Sequence, residues 1–241
     1  HTAMVTKSNA LYTCGLGSYG QLGHGDFLDQ NVPTRVEALE DTLVSRVSCG
    51  DLHTAIITSK REVYIWGSNE ARQLGSLDKV PYEDVNLISS TNSEISSDQV
   101  ERSPHPQSWS TPTRLDVFQT LGVSLKSVSC GYRHTCVLTL EGMVYTFGTG
   151  DRGELGLGPN FVQATKPTLV DSLLGLPITR CYAANGFSAF ITDMGELFVT
   201  GKAPGMAADK SWQPKKFLSG NFNETFVHSI ASGTDHLLSL V

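Results

Sequence analysis

At 241 residues, with 23 glycines and 39% hydrophobic residues, the chain is large enough for a continuous apolar core. Its formal charge is −6 and no basic run exceeds Lys60-Arg61 or Lys215-Lys216, which argues against nucleic acid as a partner, because phosphate backbones need clustered positive charge. Five cysteines, an odd count without a Cys-x-x-Cys pair, favour a reduced cytoplasmic or nuclear setting over a disulfide framework, and no apolar stretch is long enough for a membrane span.

The first unit, residues 1–46, opens at His1-Thr2-Ala3 in mid-phrase and continues through Tyr12-Thr13-Cys14-Gly15, Gln21-Leu22-Gly23 and Pro33-Thr34. The second, 47–127, begins with Val47-Ser48-Cys49-Gly50-Asp51-Leu52-His53-Thr54 and repeats the rest of the series as Tyr64-Ile65-Trp66-Gly67, Gln73-Leu74-Gly75 and Pro112-Thr113. The third, 128–180, writes the same series as Val128-Ser129-Cys130-Gly131-Tyr132-Arg133-His134-Thr135, Tyr145-Thr146-Phe147-Gly148, Glu154-Leu155-Gly156 and Pro167-Thr168. The fourth, 181–229, is worn: Phe187 stands where His is expected, Phe198-Val199-Thr200-Gly201 keeps the aromatic phrase, and Gly201-Lys202-Ala203-Pro204-Gly205-Met206 replaces the Gln-Leu-Gly landmark. A partial repeat, 230–241, ends with Gly233-Thr234-Asp235-His236 and a short tail. Landmarks in one fixed order at a period of about 50 residues identify a repeat architecture.

Within each unit, runs such as 54–58 and 63–66 are β-branched and aromatic and are bounded by Gly, Asp, Ser or Asn, which predicts short strands joined by turns. Glycine interrupts every window of helical length, which argues against a helical solenoid. Several short antiparallel strands per unit fit a β-propeller blade, whose small sheet needs a neighbour on each face. One interval is longer than the others by an insertion spanning 76–110. Its second half is rich in Ser and Thr and lacks glycine, so it buries too little apolar surface to order itself, and a mobile arm is expected, with Ser103, before Pro104, as its phosphorylation candidate.

Several motifs carry a chemical and a structural reading side by side. Gly15-Leu16-Gly17-Ser18-Tyr19-Gly20 and Gly148-Thr149-Gly150-Asp151-Arg152-Gly153 fit the dinucleotide-binding spacing, but that fingerprint needs a helix at the third glycine, and Gln21-Leu22-Gly23-His24-Gly25 is a poor helix. His1, His53, His134 and His236 occupy equivalent repeat positions. Equivalence places them on separate blades, too far apart for one metal ion, so each is expected to be a hydrogen-bonded structural residue, as Gly67 and Gly148 are structural glycines. No nucleophile elbow and no His-Glu-x-x-His pair occurs, so neither a metal, a cofactor nor an enzymatic activity is expected.

The Cys-Gly-x-x-His-Thr, Tyr-x-Trp-Gly and Gln-Leu-Gly phrases together resemble the regulator of chromosome condensation repeats, over nearly the whole chain. The resemblance implies an all-β, seven-bladed propeller, of which about four units stand here, so the chain reads as one repeat region, 1–241, of a longer protein or of an interrupted ring. It also implies an alternative function, guanine nucleotide exchange on a Ran-like small GTPase. The exchange factors of the family use an inserted hairpin as a wedge, and the 76–110 insertion lacks the tight turn between alternating apolar strands that would mark one. The leading expectation is a non-enzymatic scaffold that binds a partner protein through turn residues varying inside the repeated phrase: Asp51 and Leu52, Tyr132 and Arg133, Gly186 and Phe187, and Thr234 and Asp235.

Overall fold

The computed structural model describes residues 1–75, 107–204, 210–217, 226–232 and 237–241. Three of its antiparallel sheets have four strands each, in sequence order: β4 (Val44–Cys49), β5 (His53–Thr58), β6 (Val63–Ser68) and β7 (Ser108–Arg114); then β8 (Leu125–Cys130), β9 (His134–Thr139), β10 (Val144–Thr149) and β11 (Gln163–Leu169); then β12 (Ile178–Ala183), β13 (Phe187–Thr192), β14 (Leu197–Gly201) and β15 (Ser211–Lys216). They are flanked by a three-stranded sheet, β1 (Thr2–Val5), β2 (Leu11–Gly15) and β3 (Gln30–Arg35), and by a pair, β16 (Ser229–Ser232) and β17 (Leu237–Leu240). Thr2 pairs with Cys14 as Thr54 pairs with Trp66 and Thr135 with Phe147, so β1 to β3 are the counterparts of β5 to β7. The first strands of successive sheets, β4, β8 and β12, contact one another and form the inner wall of the propeller.

In the three four-stranded blades the second strand, β5, β9 or β13, is buried along its whole length. Their sequences lack polar alternation for that reason, since both faces of the sheet are covered. The two-residue period instead sorts side chains between neighbours. Ala55 and Ile57 join the core shared with the following blade, where Val128, Val137 and Phe147 lie, while Ile56 turns to the preceding one beside Leu11 and Trp66. Cys136 and Leu138 likewise face Phe190 of the next sheet. Each fully buried side chain of this size contributes about 2 kcal/mol by transfer from water. The interior is therefore a series of interfaces between blades rather than one central core.

The glycine ending each aromatic phrase sits at a bulge between the third and fourth strands. The pairing shifts register at Thr13/Gly15, Ile65/Gly67, Thr146/Gly148 and Val199/Gly201. Gly67 has φ +103°, and a Cβ there would overlap the Leu52 carbonyl oxygen and stand 2.7 Å from His53 Cα, so glycine is required twice over. Pro33, Pro112, Pro167 and Pro214 all lie on fourth strands, the blade edges, where a missing N–H costs no ladder bond. The Pro-Thr landmarks thus close a blade. Residues 76–106, which hold Ser103 and most of the insertion, fall outside the described residues. Ser108, Trp109 and Ser110, assigned to the insertion from sequence, belong to β7.

Candidate functional site

A three-part hydrogen-bond relay recurs at successive blade junctions. His1 Nε2 lies 2.8 Å from Thr54 Oγ1, His53 Nε2 lies 2.9 Å from Thr135 Oγ1, and His134 Nε2 lies 2.8 Å from Ser188 Oγ. Each hydroxyl belongs to the following blade and donates its single proton back to a carbonyl of the landmark loop: Thr54 to Gln21 (2.8 Å), Thr135 to Gln73 (2.7 Å) and Ser188 to Glu154 (2.7 Å). With that proton committed, the hydroxyl can only accept from the ring, so each of the three histidines carries hydrogen on Nε2. Burial pulls the pKa of His134 down to about 4 and that of His53 down to about 3, with the nearby His134 adding to the latter. His53 Nδ1 is buried with no hydrogen-bond partner among the described residues, a position that suits a bare ring nitrogen and not an N–H.

The glycines of the phrase make room for these rings. A Cβ on Gly131 would overlap His134 Cε1 and stand 2.8 Å from the Ala184 carbonyl of the next blade. Gly131→Ala is expected to cost about 2 kcal/mol through overpacking, a loss visible as a lower urea midpoint at unchanged slope. The serines of the phrase join the same strands through their hydroxyls. Cys130 N–H donates to Ser48 Oγ and Ala183 N–H to Ser129 Oγ, both at 2.9 Å, tying β4 to β8 and β8 to β12.

The glutamine of the landmark folds its own loop. Gln21 Oε1 accepts from Tyr19 N–H and Gln73 Oε1 from Ala71 N–H, while Glu154 Oε2 accepts from Arg152 N–H at 2.8 Å. Burial raises the Glu154 carboxyl above its ordinary value, and its Oε2 takes the place of the amide oxygen of the other two blades.

These bonds hold rigid a set of turns at one end of the inner strands. Within them the backbone is pinned: Ser68 N–H donates to the Leu52 carbonyl (2.8 Å), Thr149 N–H to that of Arg133 (2.9 Å) and Lys202 N–H to that of Gly186 (2.7 Å). The side chains are not. Asp51, Tyr132 and Arg133 are exposed, Leu52 is half-buried, and partial burial raises the Asp51 carboxyl from its ordinary value. Asp51, Tyr132 and Asn185 border a cavity of about 440 Å³ at the mouth of the inner wall, and Tyr132, Arg133, Arg152 and Asn185 border an adjoining one of about 100 Å³.

Gly186 lines the smaller cavity of this rim beside Asn185, but Phe187 does not join it. Phe187 is fully buried, and it packs with Ala189 and Val199 because it occupies the histidine register opposite Gly201. The side chain that the fourth blade brings to both cavities is that of Asn185, which sequence reasoning missed. Counting the same offset back from Phe187 as Tyr132 stands from His134 would have found it. Thr234, Asp235 and His236 lie outside the described residues.

Among the described residues, no three His, Cys, Asp or Glu side chains gather as metal ligands, and no helix is long and apolar enough to cross a membrane. The turns after Gly15 and Gly148 lead into no helix, so the anion site of the dinucleotide fingerprint has no N-terminus to form it. All five cysteines are free, and burial raises the thiols of the three that are buried, Cys130, Cys136 and Cys181.

The sequence pattern described as the Regulator of chromosome condensation (RCC1) repeat matches residues 8–57, 62–138 and 141–191. Each matched unit runs from the third strand of one sheet to the second strand of the next, so the sequence repeat straddles the blade junction where the relay sits. The chain is 34% identical over 173 residues to the Ultraviolet-B receptor UVR8 of Arabidopsis thaliana, covering 72% of this chain and 32% of that protein. In fold it is similar to human WBSCR16, with TM-score 0.76 and 24% identity over 99% of this chain and 55% of the other. It is similar also to Prp20p of Saccharomyces cerevisiae, with TM-score 0.72 and 17% identity over 98% of this chain and 52% of the other. The chain thus spans about a third of the receptor and about half of each solved structure. With its repeated phrases, its stacked four-stranded sheets and these matches in agreement, the chain belongs to the regulator of chromosome condensation repeat family and folds as a β-propeller.

Proposed function

We propose that residues 1–241 act as one repeat region with no chemistry of its own, a cytoplasmic or nuclear module that binds a partner protein through the rim bordered by Asp51, Tyr132, Arg133 and Asn185. One observation carries this reading. Three consecutive turns have backbones fixed by hydrogen bonds to the end of the third strand or the residue after it, while the first two present exposed side chains that differ from blade to blade, Asp51 in one and Tyr132 and Arg133 in the other. Rigid presentation lowers the entropic cost of association, and an exposed tyrosine flanked by arginine has the composition of an interface hot spot.

The test places a photo-crosslinking residue at position 132, or at the exposed Met194 outside the rim, in the full-length protein. A partner captured from position 132 and not from 194 supports the rim, and equal capture from both contradicts it. With that partner in hand, Tyr132→Ala is expected to weaken binding roughly tenfold or more while leaving the unfolding midpoint within about 0.5 kcal/mol of the parent.

The second reading is exchange on a Ran-like GTPase. It draws on the likeness to Prp20p, a protein reported to bind Gsp1p and histones. Release of labelled GDP from small GTPases separates the two: catalytic acceleration by this protein would overturn the scaffold reading, and unchanged release supports it.

A further inference from the structure

The inner strands carry a second cavity, of about 410 Å³, at the end opposite the rim. The rim is lined by the last residues of β4, β8 and β12, and this cavity by residues that precede them, reaching Tyr182 on β12, so the two share the same three strands and no residue. Each strand brings one cation to it: Arg46 from β4, Lys126 from β8 and Arg180 from β12. Both arginines are exposed and the lysine is half-buried, and among the described residues no carboxylate pairs with any of them. Burial raises the Cys181 thiol of β12 to about 11, opposed by its hydrogen bond with Ser127 and then by the Lys126 ammonium.

The placement of Lys126 has a structural cost. In each of these blades the first and second strands shift register near their start, at Val44/Arg46, Leu125/Ser127 and Ile178/Arg180. In two of them the extra residue closes the bulge with its hydroxyl: Ser45 donates to the Ile57 carbonyl (2.8 Å) and Thr179 to the Ile191 carbonyl (3.1 Å). In the blade between them that residue is Lys126, which has no hydroxyl to give. One hydrogen bond of the repeat is therefore replaced by a charged residue that lines the cavity. A protein of formal charge −6 thus concentrates three uncompensated positive charges at one end of its inner wall.

We propose that this end of the inner wall takes the carboxylates of an acidic peptide segment of a partner protein. Arginine forks pair bidentately with carboxylates, and the lysine adds a point charge beside them. A nucleic-acid backbone fits poorly, because it needs a long basic track and would meet the negative charge of the remaining surface. The proposal extends the reading of the chain as a partner-binding module, but it uses none of the rim residues.

A fluorescent glutamate peptide, with a glutamine peptide of the same length as control, is titrated against the full-length protein at low and high salt. The glutamate peptide is expected to bind in a salt-sensitive manner, and the double variant Arg46→Gln, Arg180→Gln to lose roughly tenfold or more in affinity, as does Lys126→Gln. Tyr132→Ala, which tests the rim, is expected to leave peptide binding unchanged, so failure here and failure of the rim are distinguishable. Equal binding by the arginine variant, equal binding of the glutamine peptide, or occupancy by inorganic phosphate with no binding of the glutamate peptide would each overturn the proposal.

Discussion

Lowering the pH from 7 to 5 is expected to cost the fold about 4 kcal/mol through His53 and His134 alone. Folded, their pKa values are held at about 3 and about 4 by burial, against roughly 6.5 in an unfolded chain. The folded protein therefore binds fewer protons than the unfolded one throughout that window. The contribution is complete above about pH 6.5 and is lost as acid is added, levelling off only below the folded values. At pH 5 each ring gives up roughly 1.5 pKa units of advantage, about 2 kcal/mol. Urea midpoints at the two pH values measure the total, and the paired variants His53→Phe and His134→Phe isolate the histidine share from that of the carboxylates. Phenylalanine suits the site, because Phe187 already occupies the same register in the next blade. The double variant is expected to lose stability at neutral pH and to shed most of the acid sensitivity. An unaltered pH dependence in that variant would mean that the rings are not held neutral.

Trp66→Ala is expected to cost about 4 kcal/mol, the range seen for large buried aromatics. The indole is fully buried between two blades, its Nε1–H donates to the Gln21 carbonyl at 2.9 Å, and a Cβ on Gly23 would stand 2.8 Å from that nitrogen. Deleting it opens a void at the junction and removes the bond that crosses it. Trp66→Phe is expected to cost only about 1 kcal/mol, since Phe147 fills the equivalent place one blade later and the Gln21 carbonyl keeps its bond from Thr54. Chemical denaturation of both variants checks this. Equal losses would show that the junction tolerates no change of ring and that the two positions are not equivalent.

The propeller was legible in the sequence because each landmark answers a demand of a blade: glycine for the bulge, the His-Thr pair for the junction, proline for the edge. The equivalent register of His53 and His134 was legible for the same reason, although the partners were not. A relay that joins Gln73, His53 and Thr135 spans two blades, and nothing in local spacing tells which carbonyl a hydroxyl will reach. Phe187 was misread as a surface turn residue because the repeated phrase was aligned correctly but its burial was judged from neighbouring turn positions, and Asn185 was overlooked in consequence. The basic cavity escaped notice for another reason. Arg46, Lys126 and Arg180 are isolated in sequence, and the side-by-side packing of β4, β8 and β12 is what brings them to one cavity.

Everything proposed for the rim depends on turns held rigid by neutral histidines bridging one blade to the next. Nitrogen chemical shifts of the His53 and His134 rings, read by NMR at about pH 6, test this most directly. The expected spectrum shows both rings uncharged with hydrogen on Nε2 and nonprotonated Nδ1. A charged ring, or hydrogen on Nδ1, would contradict the relay and with it the fixed frame of the binding surface.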